Sequence, residues 1–134
     1  MNMPVPPIQP QKSGVAKFIA GFGFAFSGLW YAIRTQINMK AHLFIAIMAV
    51  ALGIVLHISA VEYAIIFLTI AGVLVAEMFN TVIERCVDLA SPTYHPLAKT
   101  AKDVAAGAVL LSAVMAIIIA LFIFGPHLWL LIHK

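Results

Sequence analysis

Three long apolar segments constrain the fold of this chain more than any other feature of its sequence. They run over about residues 41–58, 60–90 and 100–124. A helix that crosses the hydrocarbon core of a bilayer needs about 20 predominantly apolar residues, with a range of about 17–25. Only 10% of the 134 residues are charged, whereas about a quarter are charged in a typical soluble domain. The sequence therefore predicts an all-α integral membrane protein with three transmembrane helices.

A fourth helix is predicted before the first span, over residues 13–36. Its large apolar residues fall at helical spacing, with weakly polar residues between them, which favours an amphipathic helix lying in the membrane interface. A helix packed against the bundle is the alternative. Residues 1–12 contain four prolines and are predicted to be a disordered lead-in, so that residues 13–134 form the membrane domain. The apolar stripe of the surface helix consists of Phe18, Phe22, Phe26, Leu29 and Ile33.

The distribution of lysine and arginine predicts the orientation of these helices. Basic residues precede the first span and lie between the second and the third, but none lies between the first and the second. By the positive-inside rule, the N-terminus and the region 85–102 are cytoplasmic and the C-terminus is outside. The basic residues are scattered rather than clustered, which argues against a nucleic-acid partner. They are Lys12, Lys17, Arg34, Lys40, Arg85, Lys99, Lys102 and Lys134.

Local motifs predict where the helices begin and end. Ser59-Ala-Val-Glu62 is a capping box at the start of the second span, and it gives Glu62 a structural role. Pro92 and Pro96 are expected to end the second helix. The segment 100–103, Thr-Ala-Lys-Asp, has the pattern of a second capping box that would open the third helix.

Most of the acidic residues fall in one stretch of the second span. Glu77, Glu84 and Asp88 are three of the five acidic residues in the chain, and Asn80 lies among them. Because an α-helix turns about 100° per residue, all four side chains share one face. An ionisable group near the lipid boundary is costly, and this cost favours a functional role for Glu77.

The acidic face admits several interpretations. Basic residues of the same region, Arg85, Lys99 or Lys102, could neutralise the carboxylates and lock the bundle. Alternatively, the oxygens could bind Mg²⁺ together with substrate phosphates, and Glu77 could take a proton from a lipid hydroxyl. A proton- or ion-handling membrane subunit would use the same row as a relay, and a purely structural membrane trimer would need no chemistry at all.

Two motifs resemble those of a known family. EMFNTVIERCVDL, beginning at Glu77, and YHPLAKTAKDVAAGAVLL, beginning at Tyr94, closely resemble the bacterial diacylglycerol kinase and undecaprenol kinase family. The resemblance extends from about Lys17 to about Phe124. It implies a small three-span homotrimer of the bacterial inner membrane that uses MgATP to phosphorylate a lipid alcohol at the cytoplasmic surface.

The resemblance also implies a role for individual residues. Glu77 matches the catalytic base, Asn80 and Asp88 match supporting polar residues, and Glu84 matches a carboxylate that binds the metal and the nucleotide complex. Gln36 stands where the family usually has a glutamate as second metal ligand, and it offers a carbonyl oxygen without charge. The implied nucleotide contacts are Lys17, Tyr94, His95, Lys102 and Asp103.

The acceptor lipid is indicated by two shorter segments. Asn38-x-Lys40-x-His42 and HPLAKTAKD, beginning at His95, look more like the undecaprenol kinase branch of the family. The resemblance therefore favours undecaprenol as the substrate, with diacylglycerol as the alternative.

Overall fold

The computed structural model describes residues 14–133, and every regular element among them is an α-helix. The helices are α1 (Gly14–Thr35), α2 (Ile37–Leu56), α3 (Ala60–Ala90) and α4 (Pro96–Ile132). The prediction of an all-α protein is confirmed for this part of the chain. The predicted disordered lead-in, residues 1–12, lies outside the described residues, as do Ser13 and Lys134.

All four helices are long and apolar enough to cross a membrane by length and composition. The sequence predicted three spans and one interfacial helix, and α1, with 22 residues, has the length of a span as well. The number of membrane crossings therefore stays a prediction.

The chain divides within α1 into two compact units, the first ending at Tyr31 and the second beginning at Ala32. In the first unit, Phe18 and Phe22 lie one helical turn apart, and their rings meet edge to face with centroids 5.2 Å apart.

In the second unit, α3 packs against both α2 and α4. Ile58, Ile66, Ile123 and Phe124 form a buried cluster there, near the turn between α2 and α3.

The turn between α2 and α3 is a tight αL turn centred on His57. His57 has a left-handed backbone, with φ 53° and ψ 44°. The backbone N–H of Ile58 donates to Gly53 O and that of His57 donates to Ile54 O, the pairing of a Schellman motif. The missing side chain of Gly53 permits this packing, because a Cβ there would lie 2.8 Å from Ile58 Cδ1 and 3.0 Å from Tyr63 Oη.

The predicted capping box at the start of α3 is confirmed. The backbone N–H of Ser59 donates to Glu62 Oε2 at 2.7 Å, and the backbone N–H of Glu62 donates to Ser59 Oγ at 3.3 Å. Glu62 Oε1 also lies 3.8 Å from Nε2 of His127 in α4. Glu62 is therefore engaged in holding the start of α3, as the sequence indicated.

The predicted start of the last helix, at about residue 100 with a capping box, was wrong. The helix begins at Pro96, where the fixed φ and missing N–H of proline suit the first helical position, and His95 is its N-cap. The side chains of the expected capping box make other contacts. Thr100 Oγ1 donates to Pro96 O, and Asp103 pairs with Lys99. Pro96 therefore begins a helix, and α3 ends at Ala90, before Pro92.

Two further boundaries differ from the prediction. α4 continues past residue 124 to Ile132, with Pro126 inside the helix. A proline in a helix interior removes one backbone hydrogen bond, but the apolar residues after it keep the helical conformation. α2 begins at Ile37, before the predicted span that starts near residue 41, and includes Lys40 in its first turn.

Candidate functional site

The acidic row on α3 runs from a buried end to an exposed end. Glu77 is 1% exposed and Asn80 is 6% exposed, Glu84 is half-buried, and Asp88 is exposed. The four residues lie within one continuous helix, and its period places them on one face. A single helix therefore carries polar groups from the packed interior of the second unit to its surface.

Hydrogen bonds within α3 order the buried end of this row. Asn80 Nδ2 donates to Glu84 Oε1 at 3.3 Å, which fixes the two side chains relative to each other. Thr81 Oγ1 donates to the backbone O of Glu77 at 2.9 Å. Sequence reasoning missed Thr81, although its position four residues after Glu77 was the available signal.

Two oxygens at the buried end have no hydrogen-bond partner among the described residues. They are Glu77 Oε2 and Asn80 Oδ1. A buried polar group without a partner costs about 1–3 kcal/mol, and a charged group costs more. Such a cost needs an explanation, and a catalytic role or a bound ion is among those that apply to buried polar groups.

His42 of α2 is a neighbour of Glu77 that sequence reasoning did not assign to the site. Glu77 interacts electrostatically with His42 and with Glu84, and His42 is half-buried. The two residues are far apart in sequence, and the antiparallel packing of α2 on α3 brings them near enough to interact electrostatically. The surroundings of Glu77 therefore combine a second carboxylate with an imidazole.

An ion pair at the exposed end of the row connects α3 to α4. Lys102 Nζ donates to Asp88 Oδ1 at 2.5 Å, and both side chains are substantially exposed, at 39% and 53%. The structural interpretation of the acidic face, a clasp, thus accounts for Asp88. It does not account for Glu77, whose Oε2 has no partner among residues 14–133.

The remaining predicted nucleotide contacts lie in or near the connection between α3 and α4. Asp103 pairs with Lys99 one turn earlier on α4. His95 Nδ1 accepts a hydrogen bond from the backbone N–H of Leu97 at 3.2 Å, which is its N-cap role and leaves Nε2 for a ligand. Tyr94 is exposed. Tyr94 and His95 lie in the connection, whereas Lys102 and Asp103 lie near the start of α4, and their nucleotide role stays a prediction.

The other two predicted site residues lie nearer the N-terminus. Lys17 is exposed on α1, in the first compact unit, and its nucleotide role stays a prediction. Gln36 separates α1 from α2 and makes no side-chain cap hydrogen bond. Its buried, unpartnered atom is Nε2, which donates hydrogen bonds and does not bind Mg²⁺. The metal role of Gln36 therefore gains no support from its geometry.

The oxygens on α3 fit a magnesium ion that arrives with a nucleotide. Within residues 14–133, no group of three or more His, Cys, Asp or Glu side chains is arranged to hold a metal. Mg²⁺ needs fewer protein ligands, because one or two carboxylates suffice when substrate phosphates complete its shell. The Glu84 carboxylate and the nearby unpartnered Asn80 Oδ1 supply such oxygens.

Comparison with known proteins identifies a family and several relatives. Residues 23–124 match the family model described as prokaryotic diacylglycerol kinase. The chain is 44% identical over 112 residues to an undecaprenol kinase of Bacillus subtilis (strain 168), a match covering 84% of this chain and 91% of the relative.

Two further relatives are named diacylglycerol kinase. A protein of Synechocystis sp. is 41% identical over 102 residues, which is 75% of this chain and 58% of the relative. The protein of Escherichia coli (strain K12) is 25% identical over 115 residues, covering 86% and 94% of the two chains.

Proposed function

The chain belongs to the prokaryotic diacylglycerol kinase family and is a lipid kinase, and on that premise we propose that it phosphorylates undecaprenol with MgATP. The undecaprenol kinase of Bacillus subtilis is 44% identical, over almost its whole length, and this similarity favours undecaprenol as the acceptor. Diacylglycerol is the second candidate, because a diacylglycerol kinase of Synechocystis is 41% identical. Family membership favours kinase chemistry over the ion-relay and purely structural interpretations of the acidic row.

The buried carboxylate of Glu77 carries the proposed chemistry. Its Oε2 has no partner among the described residues, so it is available to accept the proton of a lipid hydroxyl. In the proposed reaction the hydroxyl oxygen forms a bond to the γ-phosphorus, the bond from that phosphorus to the bridging oxygen of ADP breaks, and the proton passes to Glu77. A hydroxyl is a poor nucleophile near neutral pH, and a positioned base typically contributes about 10²–10⁴-fold.

Glu84 would hold the magnesium ion of MgATP, with Asn80 fixing its carboxylate. When bound, the ion neutralises charge on the phosphates. Glu84 lies seven residues after Glu77, so the two positions are separated by about 10 Å along the helix axis. This separation matches a base that contacts the lipid and a second carboxylate that contacts the phosphates.

Lys102 and Asp103 would exchange their present partners when the nucleotide binds. Exposed ion pairs contribute only about 0–1 kcal/mol, so the pairs of Lys102 with Asp88 and of Asp103 with Lys99 are inexpensive to break. The ammonium group of Lys102 can then bind phosphate oxygens as a point charge. Tyr94 and His95 complete the part of the proposed nucleotide site that lies in the second unit.

The proposed setting is a homotrimer in the bacterial inner membrane. We propose that α2, α3 and α4 cross the bilayer, that α1 lies in its cytoplasmic interface, and that the chain begins inside and ends outside. The distribution of lysine and arginine supports this orientation, which puts the exposed end of the acidic row in the compartment that holds ATP.

A phosphorylation assay tests the proposed function. Purified protein in detergent micelles would receive MgATP with labelled γ-phosphate and, in separate reactions, undecaprenol or diacylglycerol, with Glu77→Gln as the inactive control. The proposal expects faster transfer to undecaprenol at equal surface concentration. Faster transfer to diacylglycerol would overturn the substrate assignment and leave the lipid kinase activity in place.

A further inference from the structure

An apolar cavity lies between α2, α3 and α4 in the second unit. Its volume is about 200 Å³. Small and branched apolar side chains make up most of its wall, and His42 is its one titratable lining residue. Residues that line it from the three helices include Ala46 and His42, Val73 and Leu74, and Ala113 and Ala116.

Glu77 lies about one helical turn beyond the cavity on α3. Val73 lines the cavity and is buried, and Glu77 follows it by four residues on the same helix. Four residues advance the helix by about 6 Å and return to nearly the same face. His42, which lines the same end of the cavity from α2, interacts electrostatically with Glu77. One end of the apolar cavity is therefore marked by an imidazole and a buried carboxylate.

The size of the cavity restricts what can occupy it. A volume of about 200 Å³ is far smaller than that of a transmembrane helix, which is about 10 Å across and about 30 Å long, so the cavity cannot enclose a helix of a second copy. Apolar cavities of about 150 Å³ stay dry and take up small hydrocarbons. Part of a hydrocarbon chain fits both this volume and the apolar wall, and its polar end would lie toward His42 and Glu77.

We propose that this cavity, here called the chain groove, binds the first part of the hydrocarbon chain of the acceptor lipid, and that His42 positions the lipid hydroxyl at Glu77. The inference rests on the proposed lipid kinase reaction and adds to it a binding site within one subunit. The imidazole can hold the hydroxyl oxygen through a ring N–H, which leaves the hydroxyl proton directed to the carboxylate. His42 is thus a positioning residue, and Glu77 removes the proton.

Filling the chain groove tests the binding site. Ala46 lines the groove, whereas Ala51 is an exposed residue outside it, five positions later on the same helix. We expect Ala46→Phe to raise the KM for undecaprenol by about tenfold or more, the effect typical of a poor fit in a hydrophobic pocket, with the KM for ATP unchanged. Ala51→Phe is the matched control and should leave both constants unchanged. The smaller change Ala46→Leu should give an intermediate KM and guards against misfolding.

A short acceptor separates the groove from the chemistry. A water-soluble alcohol with too few carbons to enter the groove should be phosphorylated equally well by Ala46→Phe and by the unchanged protein. Equal effects of Ala46→Phe and Ala51→Phe on the KM for undecaprenol would overturn the proposal that the lipid binds in the chain groove, and would leave the proposed kinase reaction in place. Absence of transfer to every lipid alcohol by the unchanged protein would instead overturn the proposed function.

His42 is tested by two substitutions that differ in hydrogen bonding. His42→Leu should lower kcat for both long and short acceptors by about tenfold or more, in the range of a lost buried hydrogen bond, while the KM for ATP is unchanged. His42→Gln keeps an N–H donor and should restore much of the lost kcat. A His42→Leu protein with unchanged kcat, or an equal loss in both variants, would overturn the positioning role.

Discussion

Lys102 of α4 and Asp88 of α3 are joined by a hydrogen-bonded ion pair of 2.5 Å, although they lie fourteen residues apart in sequence. The pair connects the exposed ends of the two helices beside the predicted nucleotide contacts. Lys99 makes a similar contact, but with Asp103 of its own helix. The two lysines share helix and charge but differ in partner, and Lys102 is the less exposed of the two, at 39% against 62% for Lys99. Lys99 is therefore a useful control for Lys102.

The first prediction compares these two lysines. Lys102→Gln should raise the KM for ATP by about tenfold or more, because a charge-assisted hydrogen bond to phosphate typically contributes about 1.5–3 kcal/mol. Lys99→Gln should change it little. The KM for ATP of each variant is obtained from initial rates measured at varied ATP concentration and saturating lipid. Equal effects of the two substitutions would contradict a specific role for Lys102.

The second prediction concerns the proposed base. Glu77→Gln removes the proton acceptor with little change in shape, so the rate of transfer should fall by at least about two orders of magnitude. Nucleotide binding, measured by equilibrium titration with MgATP, should remain. A folded variant with near-normal turnover would show that Glu77 is not the base and that its burial serves packing.

The third prediction concerns the metal. Glu84→Gln should raise the Mg²⁺ concentration needed for half-maximal activity, because it removes a charged oxygen ligand. Gln36→Glu should lower that concentration if position 36 contributes to the metal shell. Activity measured across a Mg²⁺ titration at fixed ATP gives both values. An unchanged titration for Gln36→Glu would remove Gln36 from the metal site, in agreement with its buried, unpartnered Nε2.

The fourth prediction distinguishes three spans from four. In a Cys86→Ser background, single cysteines would replace Gly14, Ser91 and Leu131, and intact cells would be treated with a membrane-impermeant maleimide. With α1 in the cytoplasmic interface, only the cysteine at position 131 should be labelled before permeabilisation. Labelling at position 14 as well would show that α1 crosses the membrane.

The fifth prediction concerns the turn between α2 and α3. His57 has left-handed backbone angles, which cost an L-residue about 1–2 kcal/mol, and glycine avoids this cost. His57→Gly should therefore raise the stability by up to about 1 kcal/mol, since the greater freedom of unfolded glycine offsets part of the gain. Thermal unfolding in detergent, followed by tryptophan fluorescence, measures it. Leu56→Gly, in the last turn of α2, should have the opposite effect.

Patterns within one helix could be predicted from the sequence, whereas contacts between helices could not. The row from Glu77 to Asp88 follows from the helical period alone, and the capping box at Ser59 is confirmed because its two residues interact locally. The same four-residue pattern at Thr100 gave a wrong helix start, because Pro96 supplied a stronger one.

Contacts between helices depend on register. His42 interacts electrostatically with Glu77 because of how α2 and α3 are aligned, and Lys102 pairs with Asp88 because of the connection between α3 and α4. Neither alignment is encoded in spacing along the chain. The helical face of the site was thus predictable, and Lys102 was one of three basic residues that the sequence offered as partners for its carboxylates. The choice of Lys102 for Asp88 and the position of His42 required the folded structure.

The length of α3 should make the activity of the protein depend on the thickness of the bilayer. Its 31 residues extend about 46 Å, whereas the hydrocarbon core is about 30 Å thick. If α3 enters the hydrocarbon core at its first residue, it leaves the core near residue 80. Glu77 then lies just inside the hydrocarbon core, and Glu84 and Asp88 lie outside it. In a thicker bilayer the carboxylate of Glu84 would lie in the hydrocarbon core, and in a thinner one Glu77 would be exposed to water. The enzyme should therefore work best in lipids whose acyl chains match this length, and its rate should fall on both sides of that optimum.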